Sequence, residues 1–186
     1  MKKLIKVSTK TGDWGESGLI TGERLPKSDS LFAGLGDIDE LNSWLGLIAA
    51  KFGGEFSLYQ RFLYRIQDTL FYLGAELAGS KKTKLEKQMV DELEKNSDTL
   101  QAQMAEVWHS KFLLPGGTQL GGYLDIARTV CRRSERSVVA LARKRTIRPV
   151  VLQYLNRLSD YLYILRCYVN HTLQYREKKF KTKNIS

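Results

Sequence analysis

The sequence has few of the residues that cross-link small domains or hold metal ions. Its 186 residues include two cysteines, two histidines and three prolines. Two thiols are too few for a disulfide framework, and their position in helical patterns predicts free cysteines in a reducing cytoplasm. His109 and His171 stand far apart, without a cysteine or carboxylate at metal-ligand spacing, which argues against a structural zinc site.

Long apolar runs and familiar catalytic signatures are missing as well. The most apolar stretch, YLNRLSDYLYILRCYV, contains Arg157, Asp160 and Arg166 and therefore predicts a buried helix, not a membrane span. The start, MKKLIKVSTK, has no apolar run long enough for a signal peptide. The chain contains no GK[ST] motif, and no Ser-His-Asp or Cys-His arrangement can be assembled. If the protein is an enzyme, we expect its nucleophile to come from a substrate or cofactor.

What the chain does have is an excess of positive charge. Its formal net charge is +10, which favours anionic partners such as nucleic acid, anionic lipid or a phosphorylated small molecule. The hydrophobic fraction of 42% is ordinary for a globular protein. The length favours one domain with a sizeable core.

Apolar residues recur at helical spacing in five segments, which predicts an all-α, antiparallel five-helix bundle. The first segment follows the capping residues Ser28, Asp29 and Ser30 and ends at Gly53 and Gly54. The other helices are predicted at about 57–78, 85–108 and 119–144, and from Pro149 onward. We expect a single domain with a glycine-rich arm at 1–27, the bundle at 28–175, and a frayed, solvated basic tail at 176–186.

The stretch ARTVCRRSER lines up arginines on the fourth predicted helix. Arg128, Arg132 and Arg136 fall at i, i+4 and i+8, where like charges repel by about 0.2–0.5 kcal/mol per pair. Arg133 adds a fourth guanidinium beside this stripe. Guanidinium forks match phosphate and carboxylate groups, so an anion such as a triphosphate would account for the alignment.

Acidic side chains could also balance the charge of the stripe, from its own helix or from the first one. Asp125 and Glu135, on the same helix, would neutralise it as an ordinary solvated face. The first helix could also supply carboxylates that pair with the arginines, from Asp37, Asp39 and Glu40. The spacing slightly favours one exposed surface turn for these acids; if Asp39 is instead partly buried, its carboxylate needs a cationic partner.

Two further polar groupings are compatible with a site or with ordinary structure. The arm alternates glycines with hydroxyl residues, which would let backbone amides approach an anion, although most such stretches are surface loops. On the fifth helix Asn156 and Asp160 lie at i and i+4. They form either part of a site or a satisfied pair at the edge of the bundle.

Four segments together resemble the PduO-type ATP:cob(I)alamin adenosyltransferase family. They are TKTGDWG, TGERLPK with DELN, KFLLPGG with ARTVCRRSER, and YLNRLSD, and they span nearly the whole chain. The arginine and NRLSD segments are specific to this family, whereas TGD and PGG alone are weak signals. Trp14 departs from the family pattern, which usually has a small or basic residue there.

The resemblance implies a five-helix bundle that assembles as a homotrimer with active sites between subunits. It implies that ATP donates a 5′-deoxyadenosyl group to the cobalt of reduced cobalamin, with Mg²⁺ carried by ATP and triphosphate released. It implies partners among reductases and cobalamin-dependent enzymes, and neither nucleic acid nor a membrane. Two alternatives remain: a non-catalytic cobalamin or nucleotide carrier on the same fold, and a basic nucleic-acid binder.

Site roles follow from the matching positions of the family's motifs. Arg128 matches an arginine that pairs with an aspartate, here Asp39, across the subunit contact, and these two with Arg132 are the expected catalytic residues. Phe112 matches an aromatic beside the lower face of the corrin ring, and no protein ligand for a metal is expected. The expected ATP-binding residues are Thr9, Lys10, Thr11, Gly12, Ser17 and Lys27 in the arm, and Arg132, Arg133, Glu135, Arg136 and Asn156 on the helices.

Overall fold

The computed structural model describes residues 8, 10–104 and 112–181, and over these residues the predicted helical bundle is confirmed. A short antiparallel hairpin of β1 and β2 lies in the arm, with Ser17 opposite Leu25. A 3₁₀ turn, Gly54–Phe56, separates the first two helices. The elements are β1 (Glu16–Gly18), β2 (Arg24–Pro26), α1 (Ser30–Lys51), α2 (Ser57–Leu77), α3 (Lys87–Ala102), α4 (Gln119–Ala142) and α5 (Pro149–Thr172).

The core lies where α4 and α5 pack against each other. α4 also packs on α1, α5 also packs on α3, and α2 packs on α1. Large side chains fill the centre, and Tyr161 of α5 meets Phe62 of α2 edge to face with ring centroids 5.2 Å apart. Such aromatic pairs add about 0.5–1.5 kcal/mol beyond the burial of their area. α4 is therefore held from two sides.

Local sequence signals set the starts of the helices. α1 begins after Asp29, whose Oδ1 accepts the Leu31 amide at 2.8 Å. α4 begins after Thr118, whose hydroxyl accepts the Gly121 amide at 3.1 Å. α5 begins at Pro149, which suits a first turn because that position needs no amide hydrogen bond.

The predicted end of the third helix is wrong. α3 ends at Ala102, and Gln103 and Met104 follow it as a turn, whereas the sequence pattern extends to residue 108. The amides of Gln103 and Met104 donate to carbonyls three residues back, at 3.2 and 3.0 Å, so the chain tightens into a turn after Ala102 and Met104 is buried. Residues 105–111 lie outside the part of the chain that the structure describes.

The prediction of a frayed tail is wrong for its first half. The Phe180 amide donates to Phe112 O, and the Leu114 amide donates to Lys178 O, both at 2.8 Å. The tail therefore forms an antiparallel pairing with the loop that precedes α4. The physical reason is Glu177, whose carboxylate is bound by side chains of α5 and anchors the segment. Residues 182–186 are not among those described.

A charged clamp ties the α4–α5 connection to the end of α2. Arg148 Nε donates to Glu76 Oε1 at 2.6 Å, and its Nη2 donates to Glu76 Oε2 at 2.7 Å and to Leu85 O at 2.6 Å. The Leu85 amide also donates to Glu76 Oε2 at 2.8 Å. Burial alone would raise the pKa of Glu76, but the hydrogen bonds from Arg148 and Leu85 outweigh it and leave that pKa below its ordinary value.

We expect Glu76→Gln to lower the thermal midpoint at neutral pH by a few degrees, on the order that loss of one charged clamp gives in a domain this size. The folded-state pKa of Glu76 is depressed. Its contribution is therefore present above the ordinary carboxyl pKa of about 4.3 and is lost as the pH falls through the folded value. The gap between wild type and variant, followed by circular dichroism, should close in acid.

The matched control is Glu94→Gln, which removes an exposed ion pair with Arg157 at 3.2 Å. Exposed pairs contribute little, so this variant should match wild type throughout. A Glu76→Gln midpoint equal to wild type at neutral pH would contradict the clamp.

Candidate functional site

The arginine stripe lies on one uninterrupted helix, α4, beside α5. Arg132 and Arg136 are exposed, and the Arg136 guanidinium donates to the Arg132 carbonyl at 3.1 Å. Arg128 is partly buried, with 22% of its side chain exposed. Arg128 and Arg132 line a shallow depression together with three α5 side chains, Ser159, Asp160 and Tyr163. Two guanidiniums and one carboxylate leave this depression net positive, which suits a polyanion.

Tyr163 adds a neutral hydroxyl to the same depression. Burial, with the nearby Cys167, raises the pKa of Tyr163 to about 12. The phenol therefore stays protonated at neutral pH and adds no negative charge beside the arginines. The positive character of the depression comes from α4.

Arg133 points away from the depression, toward α1. Its Nε donates to Asp37 Oδ1 at 3.0 Å, and its Nη2 contacts the Glu40 carboxylate. Ser137 also donates to Asp37, at 2.5 Å. Asp37 and Glu40 thus pair with Arg133 within one chain. This confirms, for Arg133, the prediction that acids of the first helix pair with the arginines. The role of Arg133 in ATP binding stays a prediction.

Asp39 is exposed in this chain, which confirms the surface turn that the spacing slightly favours and excludes partial burial within one chain. It follows the buried Ile38 by one residue, which turns it about 100° around the helix and away from the core. Within the described residues it takes part in no ion pair. Its carboxylate lies on the outer surface of α1, where another molecule could reach it.

Within one chain the partner of Arg128 is Asp125. Arg128 Nε donates to Asp125 Oδ1 at 3.1 Å, an i, i+3 pair on α4. Asp125 is buried, with 6% of its surface exposed, so its charge needs such partners. The pairing with Asp39 that the resemblance implies would come in addition, from a second chain.

The polar pair on α5 divides between two environments. Asn156 is half-buried and donates to Glu135 Oε1 at 3.3 Å. Asn156 and Glu135, two of the expected ATP-binding residues, therefore lie together beside the stripe. Asp160 is exposed and accepts from Arg157 at 2.9 Å. Asn156 therefore faces α4, whereas Asp160 faces solvent at the rim of the depression.

The arm folds back on itself around Gly12. A Cβ placed on Gly12 would lie 3.2 Å from Lys27 Nζ, so the ammonium occupies the space beside this glycine. The Lys27 amide donates to Gly15 O at 2.8 Å, and Arg24 Nη2 donates to Thr11 O at 2.6 Å. Two expected ATP-binding residues, Gly12 and Lys27, are thus brought together. Ser17 is half-buried in β1, Lys10 is exposed, and Thr9 lies outside the described residues.

The arm and Phe112 lie at opposite ends of α4. The turn of the hairpin packs at the α2 and α4 termini, where a Cβ on Gly79 would lie 2.7 Å from Thr21 Cγ2. Glu23 lies 4.0 Å from Arg145, just beyond the end of α4. Phe112, 85% exposed, precedes the start of α4. A helix of 24 residues spans about 36 Å, so one chain does not bring the hairpin turn and Phe112 together.

Sequence reasoning missed a group of buried polar residues behind Phe112, centred on Arg166. Arg166 is 1% exposed and bonds to the buried Asp125, and Asn170 beside it is also fully buried. The signal was present, because Arg166 interrupts an otherwise apolar helix and a buried guanidinium requires an acid. Arg166, whose charge argues against a membrane span, is thus also the centre of a buried polar cluster.

The described part of the chain offers neither a metal-binding cluster nor a membrane span. No three His, Cys, Asp or Glu side chains there are grouped so that they could hold a metal ion. No helix among the described residues is long and apolar enough to cross a membrane.

Comparison with known proteins agrees with the four sequence segments. The model of the cobalamin adenosyltransferase family matches residues 7–169. The corrinoid adenosyltransferase of Bacillus subtilis (strain 168) is 43% identical over 171 residues, which cover 89% of this chain and 87% of that protein. The cobalamin adenosyltransferase of Cupriavidus metallidurans is 37% identical over 168 residues, which cover 90% of each chain.

A solved structure agrees in fold as well. It is a Phe-to-Ala variant of the PduO-type ATP:corrinoid adenosyltransferase from Lactobacillus reuteri, complexed with cobalamin and ATP. It superposes with a TM-score of 0.89 at 35% identity and covers 95% of this chain and 100% of that one. The chain therefore belongs to the cobalamin adenosyltransferase family, and its resemblance to the PduO type is confirmed.

Proposed function

We propose that the protein transfers the 5′-deoxyadenosyl group of ATP to the cobalt of reduced cobalamin and releases triphosphate. The observation that carries this proposal is the open cationic face of α4. Arg132 and Arg136 are exposed there and have no ion pair among the described residues, although two neighbouring arginines are neutralised. A bound triphosphate supplies the missing negative charge.

The chemistry suits the residues present. Reduced cobalt attacks C5′ of the ribose, the C5′–O bond breaks, and its electron pair leaves with the triphosphate. No activated side-chain nucleophile is needed, and Cys131 does not provide one, because burial raises the pKa of its thiol. The arginines hold the leaving group in place and stabilise its growing charge, and Mg²⁺ arrives with ATP.

The site is completed by a second subunit in this proposal. The hairpin and Phe112 lie at opposite ends of α4, so the arm of one subunit closes over the arginines of its neighbour in a homotrimer. Three apolar side chains on α1 and α4 favour such a contact. They are Leu47, Ile126 and Val139, each at least 40% exposed.

Supply and location follow from the same chemistry. A reduced corrinoid must come from a reductase, and the product suits a cobalamin-dependent enzyme, so both are proposed partners. Cys131 and Cys167 are buried free thiols, which fits a reducing cytoplasm.

Incubation with ATP, Mg²⁺ and chemically reduced cobalamin tests the proposal directly. We expect the corrin absorbance to shift to that of the adenosylated form, with one triphosphate released per turnover. Binding of both ligands without this shift would favour a non-catalytic carrier. Tight and steeply salt-dependent retardation of DNA or RNA, with no turnover, would favour a nucleic-acid binder.

We expect Arg132→Ala to lose about 1.5–3 kcal/mol of transition-state binding, the range for a hydrogen bond to a charged group. This corresponds to a fall in kcat/KM for ATP of roughly 10- to 160-fold. Arg61→Ala, on the exposed face of α2, is the control and should match wild type. Unchanged kinetics in Arg132→Ala would remove Arg132 from the site.

We expect Asp39→Asn to weaken the contact between subunits, because it removes the carboxylate proposed to reach Arg128 of a neighbour. The trimer should dissociate at higher protein concentration than wild type in sedimentation velocity, and the KM for corrinoid should rise. Glu55→Gln, an exposed acid before α2, is the control. An intact trimer with normal turnover would show that Asp39 has no such role.

We expect Phe112→Ala to lower kcat more than it changes the KM for ATP. The exposed ring is proposed to exclude a lower axial ligand, which leaves cobalt four-coordinate and easier to reduce. The absorbance spectrum of bound cob(II)alamin should shift toward the five-coordinate form. A wild-type spectrum in the variant would place Phe112 away from the corrin.

A further inference from the structure

Arg166 is a buried guanidinium whose five N–H groups all have acceptors. Nε donates to Asp125 Oδ2 at 3.1 Å, and Nη1 donates to Glu177 Oε1 at 2.6 Å and more weakly to Cys167 Sγ at 3.8 Å. Nη2 donates to two carbonyls of the loop before α4, Leu114 O at 2.9 Å and Gly116 O at 2.8 Å. Only an arginine offers five donors in one plane.

Asn170, one turn later on α5, binds the same loop and shares the Gly116 carbonyl with Arg166. Its Oδ1 accepts from the Thr118 amide at 3.0 Å and from the Thr118 hydroxyl at 2.8 Å, and its Nδ2 donates to Gly116 O at 3.0 Å. A Cβ on Gly117 or Gly121 would collide with this amide. The close approach of Asn170 therefore requires glycine at Gly117 in the loop and at Gly121 in the first turn of α4.

The held loop carries Phe112. Arg166 grips Leu114, two residues later, and Glu177 anchors the tail segment whose Phe180 amide donates to Phe112 O. The exposed ring is thus carried by a backbone segment that hydrogen-bonds to Arg166 through Leu114 O and to the tail through Phe112 O.

Asp125 connects this loop to the arginine stripe. Its Oδ2 accepts from Arg166 and from the Gly116 amide, the latter at 2.7 Å, while its Oδ1 accepts from Arg128. One carboxylate therefore fixes the position of the loop, through the Gly116 amide, and of Arg128, the first arginine of the stripe. Together with Glu177, these side chains form a cluster of two guanidiniums and two carboxylates. Their charges balance, as the burial of Arg166 and Asp125 requires.

We propose that Arg166 and Asp125 are positioning residues that fix Phe112 and Arg128 relative to each other. Neither touches the substrates. Arg166 acts through the loop and Asp125 acts through the Arg128 guanidinium, so that the corrin and the α4 arginines keep one relative geometry. The inference deepens the proposed function and rests on it. A shift of about 1 Å in such a geometry can cost up to 100-fold in rate.

Arg166→Lys tests this inference, because it keeps the charge but supplies three donors from a single point. We expect kcat to fall roughly tenfold or more and the KM for ATP to stay within about twofold. The spectrum of bound cob(II)alamin should shift toward the five-coordinate form, as for Phe112→Ala. Loss of stability alone would leave this spectrum unchanged in the folded protein.

The matched control is Arg148→Lys, which breaks a comparable clamp at the other end of the bundle. It should lower the thermal midpoint and leave the corrin spectrum as in wild type. If Arg166→Lys does not fold, Glu177→Gln decides instead, because it weakens the same network from its more exposed edge. It should produce a smaller change of the same kind.

The inference is overturned if folded Arg166→Lys protein has the wild-type spectrum and kcat. If that variant does not fold, the same result in Glu177→Gln overturns it. A spectral shift of equal size in Arg148→Lys would also overturn it. These outcomes differ from failure of the proposed function, in which wild-type protein itself forms no adenosylcobalamin from ATP.

Discussion

The structure depends on how α4 tolerates four arginines within nine residues. Like charges one turn apart repel, and two of the four are neutralised inside the chain. Arg133 is held by Asp37 and Glu40 of α1, and Arg128 by Asp125 of its own helix. Arg132 and Arg136 face water, where screening lowers the repulsion but supplies no fixed partner. The chain thus separates arginines that hold the bundle together from arginines that are ready for an anionic ligand.

This separation accounts for how the protein contributes to the proposed reaction. Cobalt supplies the nucleophile and triphosphate is the leaving group, so the side chains have only to orient, neutralise charge and shape the corrin surface. Rigid elements meet that requirement. Arg132 stands on a helix packed from two sides, and Phe112 stands on a loop fixed by Arg166 and Asn170. About 36 Å of helix separates the ends at which the arm and Phe112 lie, which is why we place the complete site between subunits.

The sequence predicted what depends on local patterns. Helical periodicity, the Asp29 cap and Pro149 defined most of the bundle, and charge spacing identified the arginine stripe and the acids that answer Arg133. The errors arose where distant contacts outweigh local composition. The basic composition of the tail hid Glu177, whose carboxylate Arg166 binds, and the apolar pattern of the third helix extends beyond Ala102, where the helix ends. The contacts of Arg166 with the loop join residues 50 and 52 positions apart, which no local period can reveal.

The most direct test of the central claim is a crystal structure of the protein with ATP and Mg²⁺. We expect the triphosphate to lie against Arg132 and Arg136 of one subunit, with the Gly12–Lys27 arm of a neighbouring subunit closed over it. A triphosphate bound elsewhere, with both arginines extended into water and no neighbouring arm near them, would contradict the account.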